Sequence, residues 1–359
     1  MSNNKESDMI NFFRDKKVLV TGHTGFIGSW MCKWLSMSGA DVCGYALEPP
    51  TKPSLFDTIG LTNEIKDVRE DIRNKNSLGK AILDFDPDIV IHLAAKPIVL
   101  EALEDPVTTF DINVTGTANL LNELRKADSV KSIIVVTSDK SYKNNEWNYP
   151  YREIDLIGGK DPYSASKSCQ EFVVDSFRDS YFADSDIKIS SVRAGNVIGG
   201  GDWAQFRLIP DLVRGIIKGE STLIRNPEST RPWQHVLEPI SGIFLLAEKM
   251  WSSNAYSGSW NFGPLNTQQT NVEELSKKFF LYFGKGKYIV NQDKNSKESG
   301  NLSLDISKAM KELKWIPKLD IEQTVKETAE WYKNYIRTGV KMDEFTSEQI
   351  ERYHNIKTK

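Results

Sequence analysis

A chain of 359 residues with a net charge of −3 can form one large domain plus a smaller lobe, and it offers no basic surface for nucleic acid or an anionic membrane. Its three scattered cysteines and four histidines have neither disulfide nor metal-ligand spacing, so we expect no metal site. Without an apolar run of the roughly 18 residues that a membrane span needs, and with a polar start "MSNNKESD", it is expected to be cytoplasmic.

The first predicted elements are a strand, a Gly-rich turn, a helix and a second strand over "KKVLVTGHTGFIGSWMCKWLSMSGADVCGYAL". This pattern predicts a βαβ unit of a parallel sheet. Buried-strand patterns follow at "PDIVIHLAA", "KSIIVVTSD" and "IKISSVRAG", with helical stretches such as "GTANLLNELRKA" between them. The alternation predicts an α/β fold, a Rossmann-type doubly wound parallel sheet covered on both faces.

The character of the chain changes after about Val197, where Gly, Pro and Trp crowd into "GGGDWAQFRLIPDL" and "RNPESTRPWQHVLEP". We expect a smaller mixed C-terminal lobe there, with late helices at "NVEELSKKFFLYFG" and "IEQTVKETAEWYKNYI". The expected division is a polar extension at 1–14, the Rossmann domain mainly at 15–196, the lobe mainly at 197–340 and a tail at 341–359. The chain can cross between the two lobes, and its last dozen residues are expected to be mobile.

The glycines Gly22, Gly25 and Gly28 lie between the first strand and its helix. A lone glycine motif often serves only a tight turn, but this strand–turn–helix context favours a dinucleotide pyrophosphate at the helix N-terminus. Near the end of the second strand the chain has Tyr45 and then Glu48, which is either a ribose ligand or an ordinary loop charge. No arginine lies there along the chain, which favours NAD over NADP.

A second group of polar residues consists of Ser138, Asp139 and Lys140 at the end of "SIIVV", together with Tyr163 and Lys167 in "DPYSASK". Tyr163 and Lys167 are spaced i and i+4, so they share one face of a helix. An ammonium near a phenol favours phenolate and is expected to lower the tyrosine pKa, as a general base requires. The alternative interpretations are a surface helix pair and a solvated Asp–Lys pair on a loop.

Together, the glycine motif, the strand-end serine and the YxxxK spacing resemble the extended short-chain dehydrogenase/reductase superfamily. The resemblance narrows to its nucleotide-sugar dehydratase branch, and there to the CDP-glucose 4,6-dehydratases. It is carried from about residue 17 to 265 by stretches such as "VTGHTGF", "PTKPSLF", "HLAAKP", "TSDKSYKNNEW", "GGKDPYSASK", "RAGNVIGGGDWA" and "IRNPESTRPWQHVLEP". A further match, "LKWIP", lies near the end of the chain.

The resemblance implies an NAD-dependent hydro-lyase. It oxidises C4 of a nucleotide hexose, eliminates water across C5 and C6, and reduces C6, most simply converting CDP-D-glucose to CDP-4-dehydro-6-deoxy-D-glucose for deoxysugars of O-antigen-type lipopolysaccharide. Tyr163 would take the C4 hydroxyl proton and a protonated Asp139 would be the acid. Lys140 would either be the base, if its pKa is lowered, or stay charged and stabilise the C4 enolate. A homodimer or higher homo-oligomer is expected.

The resemblance also implies three sets of site residues. The catalytic set is Ser138, Asp139, Lys140, Tyr163 and Lys167. The cofactor-binding set is Gly22, Thr24, Gly25, Phe26, Ile27, Gly28, Asp71, Ile72, Leu93, Ala94, Ala95, Tyr163 and Lys167. The substrate-binding set is Asn196, Arg207, Arg225 and Arg231, of which Arg231 is expected on the diphosphate.

Three places depart from the family's pattern and leave the nucleotide sugar open. Relatives usually carry Lys at Ile27 and Gln at Lys96, and they have an Arg, an apolar residue and Ser-Tyr in place of Leu100–Leu103. Two other functions fit the same fold. A nucleotide-sugar 4-epimerase or reductase predicts no acid–base pair after the strand-end hydroxyl, and a non-catalytic NAD-binding sensor can dispense with the Tyr–Lys couple. Both agree less well with the residues present.

Overall fold

The computed structural model describes residues 11–265, 270–290 and 302–357, so most of the expected N-terminal extension lies outside the described residues. The strands are β1 Lys17–Thr21, β2 Asp41–Ala46, β3 Lys66–Arg69, β4 Ile89–His92, β5 Ser132–Val136, β6 Lys188–Ala194, β7 Val197–Ile198, β8 Thr222–Ile224, β9 Thr230–Arg231, β10 Gln234–His235, β11 Gly258–Phe262, β12 Thr270–Asn271 and β13 Tyr288–Val290.

The α-helices are α1 Phe26–Met37, α2 Leu55–Thr58, α3 Lys75–Phe85, α4 Val99–Glu104, α5 Pro106–Phe110, α6 Gly116–Leu124, α7 Pro162–Phe177, α8 Leu208–Lys218, α9 Leu237–Ser252, α10 Val272–Phe283, α11 Ile321–Ile336 and α12 Met342–Asn355. Short 3₁₀ turns span Leu61–Asn63, Asp139–Ser141 and Asn254–Tyr256, and π-helical turns span Asp111–Thr115, Arg178–Phe182 and Ala309–Leu313. In the part of the chain that the structure describes, no helix is long and apolar enough to cross a membrane.

Seven strands form one sheet in the order β11–β6–β5–β4–β1–β2–β3, and each neighbouring pair is parallel. The order reverses beside β1, whose last residue Thr21 pairs with Tyr45 of β2 and with His92 of β4. Ligands of such sheets bind at the carboxyl ends of the strands near this reversal. The predicted Rossmann-type, doubly wound parallel sheet is confirmed.

Both faces of the sheet are buried. Successive side chains of a strand point to opposite faces, so each strand contributes to two cores. Val18 and Val20 of β1 pack into one core with α1 and α9, whereas Leu19 packs into a second core with α3 and α6. Burial on both faces explains why these strands read as continuous apolar runs rather than as alternating ones.

The chain after β6 forms the short pairs β7–β10, β8–β13 and β9–β12 and then returns to the large sheet. Strand β11 lies beside β6, with Gly258 opposite Ser190 and Phe262 opposite Ala194. The polypeptide therefore leaves the large sheet after β6 and re-enters it at β11. Helices α10 and α11 form at the two predicted late helical stretches.

The C-terminal segment differs from the expectation of a mobile tail. Helix α12 runs to Asn355, with Met342, Ile350 and Tyr353 buried. The Tyr353 hydroxyl donates to Glu238 Oε2 over 2.7 Å. The prediction of a mobile last dozen residues is wrong as far as Asn355, because a few apolar positions among many charged ones are enough to anchor a helix on an existing core.

Candidate active site

The Gly-rich turn brings three backbone segments so close together that side chains are excluded. Gly22 has a φ of +78°, and a Cβ there would lie 2.7 Å from the Ala94 nitrogen. At Gly28 a Cβ would lie 2.2 Å from the Gly22 carbonyl oxygen. The glycines therefore let helix α1 start directly against the carboxyl end of β1.

The N-terminus of α1 is open to a ligand. Gly25 occupies the cap position in an extended conformation, and among the described residues no side chain caps the first helical N–H groups. Free N–H groups and the helix dipole favour an anion here. Thr24 donates to the Leu47 carbonyl over 3.0 Å, which joins the turn to the end of β2, and Phe26 and Ile27 are half-buried in the first helical turn.

The expected adenosine and nicotinamide contacts surround this turn at the same sheet edge. The Tyr45 hydroxyl donates to the Asp71 carbonyl over 3.1 Å. Hydrogen bonds from Arg73 lower the pKa of Asp71. Ile72 is buried and packs against Gly116, where a Cβ would lie 2.7 Å from its Cγ2. The half-buried run Leu93, Ala94 and Ala95 follows directly after β4.

An arginine does lie at the end of β2, although none follows that strand along the chain. Arg69 ends the neighbouring strand β3, paired with Ala46. Its Nη1 lies 3.4 Å from Glu48 Oε2 and 3.3 Å from the Leu47 carbonyl, and its Nε donates to Asp67 over 2.7 Å. The prediction that no arginine lies at this edge is therefore wrong. Strand pairing brings Arg69 there, and spacing along the chain could not indicate this.

Ser138 joins the phenol and the carboxylate of the candidate catalytic group. Its hydroxyl donates to Asp139 Oδ1 over 2.9 Å, and it lies close enough to Tyr163 to act on the pKa of that phenol. Ser138 Oγ also accepts the Lys140 backbone N–H over 3.1 Å, and this hydrogen bond caps the turn Asp139–Ser141. The end of β5 and the first turn of α7 therefore meet at one hydroxyl.

Asp139 is 3% exposed, and this burial raises the pKa of its carboxyl, against the attraction of Lys140, the Ser138 hydrogen bond and Arg231. Its Oδ2 is buried without a hydrogen-bond partner among the described residues. A Cβ at Gly195 would lie 2.8 Å from this oxygen. Burial and the unpartnered oxygen both favour the protonated form of this carboxyl group.

The pKa of Tyr163 is raised, not lowered as the sequence analysis expected from Lys167. Burial raises the pKa of Tyr163 to about 12; the Ser138 hydrogen bond and Arg207 act to lower it. The Lys167 amine instead donates to Gln170 Oε1 over 2.8 Å and to the Val136 carbonyl over 3.3 Å. Burial lowers the pKa of Lys167 to about 7, opposed by Glu171.

Two of the four expected substrate residues lie near this group. Arg231 acts on the pKa of Asp139, and its Nη1 donates to the Thr230 carbonyl over 2.8 Å. Arg207 Nη1 lies 3.0 Å from Asp202 Oδ2. Burial opposes the charge of Arg207, whereas Asp202 and Tyr163 raise its pKa.

The other two expected substrate residues lie differently. Asn196 is half-buried after β6, and its carbonyl accepts the Gln234 N–H over 3.2 Å. Arg225 is exposed beyond β8, beside Asp211. Burial raises the pKa of Asp211, while Arg214 and Arg225 lower it. Arg225 is thus not among the cations that act on Tyr163 or Asp139.

The segment Leu100–Leu103, which departs from the family's pattern, lies within α4, with Ala102 buried and Leu103 44% exposed. Glu101 adds a carboxylate that raises the pKa of Arg207. Lys96 donates to Asp105 over 3.0 Å. The segment therefore places a carboxylate near Arg207.

Sequence reasoning missed a buried ion pair behind the strand end. Arg193 donates to both oxygens of Glu171, over 3.0 and 2.8 Å, with both side chains at most 1% exposed. Thr137, next to Ser138, also donates to Glu171. Glu171 lies one turn beyond Lys167, which is a usable signal, but nothing in the chain links it to Arg193 on β6.

Asn113 was also missed. It sits in the π-helical turn after α5, where its Nδ2 donates to Ser166 of α7 over 2.8 Å and its Oδ1 accepts the Lys96 N–H over 2.8 Å. It thereby ties the segment after β4 to the helix that carries Tyr163. In the described ranges, no cluster of three or more His, Cys, Asp or Glu side chains is arranged to hold a metal ion.

Known proteins are similar to this chain along most of its length. The family described as GDP-mannose 4,6 dehydratase matches residues 19–328. CDP-glucose 4,6-dehydratase of Salmonella typhimurium is 43% identical over 334 residues, which cover 91% of this chain and 93% of that protein. CDP-paratose 2-epimerase of Salmonella typhi is 24% identical over 338 residues, 88% of this chain and 98% of that protein.

Two solved structures share the fold. UDP-glucose 4-epimerase of Thermotoga maritima, solved with UDP-glucose, has a TM-score of 0.77 at 23% identity and covers 89% of this chain and 100% of its own. The dTDP-glucose 4,6-dehydratase DesIV of Streptomyces venezuelae, solved with NAD, has a TM-score of 0.76 at 22% identity, covering 88% and 97%.

The parallel sheet and the Gly-rich turn between β1 and α1 define a Rossmann-type α/β protein. Within that class, the chain belongs to the GDP-mannose 4,6-dehydratase family.

Proposed function

We propose that the chain is an NAD-dependent 4,6-dehydratase that converts CDP-D-glucose to CDP-4-dehydro-6-deoxy-D-glucose and water. The observation that carries this is a buried carboxyl group, Asp139, which accepts from Ser138 and lies close enough to Tyr163 to act on the pKa of the phenol. An epimerase needs a base at C4 but no acid for a departing C6 hydroxyl. The 43% identical CDP-glucose 4,6-dehydratase supports the choice of nucleotide sugar.

The proposed cofactor fits the residues around α1. Gly22 and Gly28 have no side chains, so a pyrophosphate can come close to the backbone there, and the helix N-terminus at Gly25 suits its negative charge. Asp71, Ile72, Leu93, Ala94 and Ala95 would hold the adenosine and the middle of the dinucleotide. When bound, NAD⁺ supplies a reversible hydride acceptor for the oxidation of C4 and the later reduction of C6.

Tyr163 is the proposed base for the C4 hydroxyl. Its pKa of about 12 without ligands is too high for efficient proton removal at neutral pH, so binding must favour the phenolate. Ser138 and Arg207 already act in that direction. The positive charge of the nicotinamide ring would add to them.

Asp139 is the proposed acid for the C6 hydroxyl, since burial raises the pKa of its carboxyl and so favours the protonated form. Lys140, half-buried beside it, is the proposed partner at C5. It would act either as the base that removes the C5 proton or as the cation that stabilises the C4 enolate. Both roles place its amine on the same side of the hexose as Asp139.

The nucleotide sugar would lie between the sheet edge and the elements after β6. Arg231 is the proposed diphosphate ligand, because a guanidinium binds phosphate oxygens bidentately. Asn196 and Arg207 would contact the sugar phosphate and the hexose, and Arg225 would act at the outer end of the nucleotide.

We further propose a cytoplasmic homodimer that supplies deoxysugars for surface polysaccharide. Val107 of α5 is 78% exposed, Phe110 at its end is 36% exposed and Phe172 of the adjacent α7 is 58% exposed. Apolar side chains gathered on two packed helices are typical of a protein–protein contact. A second copy of the chain is the proposed partner of this surface.

The test is to incubate the purified chain with NAD⁺ and, separately, with CDP-, dTDP-, UDP- and GDP-hexoses, and to follow loss of one water by mass spectrometry. Loss from CDP-glucose alone is expected. Loss from another nucleotide sugar would keep the reaction and point to Leu100–Leu103 as the reason. Dinucleotide binding without water loss from any of them would contradict the dehydratase proposal.

A further inference from the structure

A chain of buried hydrogen bonds runs behind the candidate active site and begins at the turn after β4. The backbone N–H groups of Leu93 and Ala94 each donate to Thr21 Oγ1 over 3.2 Å. Thr21 Oγ1 in turn lies 2.6 Å from His92 Nδ1. Leu93 and Ala94 belong to the proposed dinucleotide-binding turn, so the chain starts at the cofactor side.

The second half of the chain ends at the Lys167 amine. His92 Nε2 lies 2.9 Å from Thr117 Oγ1, which also accepts from Gln170 Nε2 over 2.7 Å. The Thr117 hydroxyl itself donates to the Asn113 carbonyl over 2.7 Å. Gln170 Oε1 accepts from Lys167 Nζ over 2.8 Å. The side chains of Thr21, His92, Thr117 and Gln170 are fully buried.

The donor and the acceptor of each hydrogen bond in this chain can be assigned in one consistent way. An ammonium only donates, so the Gln170 oxygen faces Lys167 and its NH₂ group faces Thr117. The Thr117 hydrogen is taken by a carbonyl, so His92 must donate from Nε2. Its Nδ1 then accepts from Thr21, whose oxygen receives the two backbone N–H groups. A proton on both ring nitrogens would break the chain, and burial lowers the pKa of His92 to about 3.

We infer that Gln170 is a positioning residue that fixes the direction of the Lys167 amine and ties it to the dinucleotide-binding turn; the inference rests on the proposed function. An ammonium has three N–H groups, and Gln170 and the Val136 carbonyl take two of them. The third N–H has no acceptor among the described residues, and Tyr163 precedes Lys167 by one turn on the same face of α7. Because Gln170 is neutral, it orients the amine without adding charge.

The charges that face Lys167 are few. Glu171, one turn along α7, is the carboxylate that raises the lysine pKa, and His92 on β4 is neutral. The neighbours from the turn after α5 and from α6, Asn113 and Thr117, are uncharged. Asp139 and Arg207 act on Tyr163 instead. A carboxylate at position 170 would therefore be a second anion, and the first in direct contact.

The experiment measures binding of NADH by its fluorescence from about pH 6 to about pH 9, in the full chain, with dehydratase kcat/KM over the same range. In Gln170→Glu we expect the inflection of both profiles to move up by at least about one pH unit, since a carboxylate in contact raises an amine pKa by about 1–3 units. A change in packing alone would not move it. Cys169→Glu adds the same charge to the half-buried preceding residue of α7 and should leave the inflection in place.

Gln170→Met keeps the side-chain length but accepts no strong hydrogen bond, and it should weaken NADH binding roughly tenfold, about one lost hydrogen bond to a charged group. An unmoved inflection in Gln170→Glu, or an equal movement in Cys169→Glu, would overturn the inference. If Gln170→Glu does not fold, unchanged NADH affinity in Gln170→Met overturns it. Absence of water loss by the unmodified chain would contradict the proposed function alone, because the NADH profiles need no nucleotide sugar.

Discussion

At the scale of single residues, the most informative group is the buried carboxyl of Asp139. Asp139→Asn keeps the shape but leaves no proton for the C6 hydroxyl. We expect dehydration to fall about 10²- to 10⁴-fold, the usual contribution of a general acid, while C4 oxidation continues. Reduced nicotinamide should therefore accumulate, seen by its absorbance when CDP-glucose is added. Asp186→Asn, at an exposed loop position, is the matched control, and equal loss in both variants would contradict the role.

A second residue-scale prediction concerns the Glu48–Arg69 pair at the end of β2. A carboxylate there repels a 2′-phosphate, and the guanidinium beside it would bind one if the carboxylate were removed. We expect Glu48→Ala to narrow the ratio of NADP⁺ to NAD⁺ dissociation constants about fivefold, on the order of 1 kcal/mol for an exposed pair. Glu48→Ala with Arg69→Ala should restore the original ratio. Calorimetric titration measures both, and no change in the single variant would exclude the pair as a selectivity element.

Residue identities were predictable where the chemistry is local in the chain. Ser138, Asp139 and Lys140 follow one strand, and Tyr163 with Lys167 occupy one helical face. Arg69 and Arg193 were not predictable, because strand pairing and helix docking bring them to their partners. Gln170 lies three residues beyond Lys167 on the same helix, but its contact with Thr117 depends on the docking of α6.

At the scale of elements, the docking of α12 depends on Glu238 in the middle of the core. Its Oε1 accepts the backbone N–H groups of Lys318 and Leu319, and its Oε2 accepts the Tyr353 hydroxyl. Burial raises the pKa of Glu238 from 4.5 to about 7, although these hydrogen bonds act to lower it. The native protein thus keeps a proton that the unfolded chain releases from about pH 4.5 upward.

The free energy of unfolding should consequently fall as pH rises from about 4.5 to about 7, by up to roughly 3 kcal/mol from this group alone. In Glu238→Gln the side chain stays neutral, so its stability relative to the unmodified protein should increase across that window. Urea unfolding at several pH values measures the difference. Glu351→Gln, on the exposed side of α12, is the control and should run parallel to the unmodified protein.

The elements that could be predicted from the sequence were those with a strong apolar pattern. Strands buried on both faces and the helices α10 and α11 stood out as strong patterns. Helix α12 did not, because the residues that hold it are distributed among charges and their partners lie on α1 and α9. Lys33 of α1, for example, pairs with Asp343 over 2.5 Å.

At the scale of the whole molecule, the proposed dimer makes one clear prediction. Phe172→Glu places a charge in the exposed apolar surface of α5 and α7. We expect a monomer by light scattering at concentrations where the unmodified chain is dimeric, because an unpaired charge is disfavoured inside a contact. Leu83→Glu, at an 80% exposed leucine of α3, should leave the dimer intact. A dimer that survives Phe172→Glu would place the contact elsewhere.

The return of β11 to the edge of the large sheet limits how this architecture can be rearranged. The residues between β6 and β11 leave and re-enter the same sheet, so the polypeptide enclosing the nucleotide sugar is bounded on both sides by the scaffold that would hold the dinucleotide. A contiguous cassette cut at the end of β6 would carry away the edge strand and α9. Transplanting substrate preference between relatives therefore requires exchanging separate loops rather than a whole unit, and recombination between genes would succeed only where both crossing points are preserved.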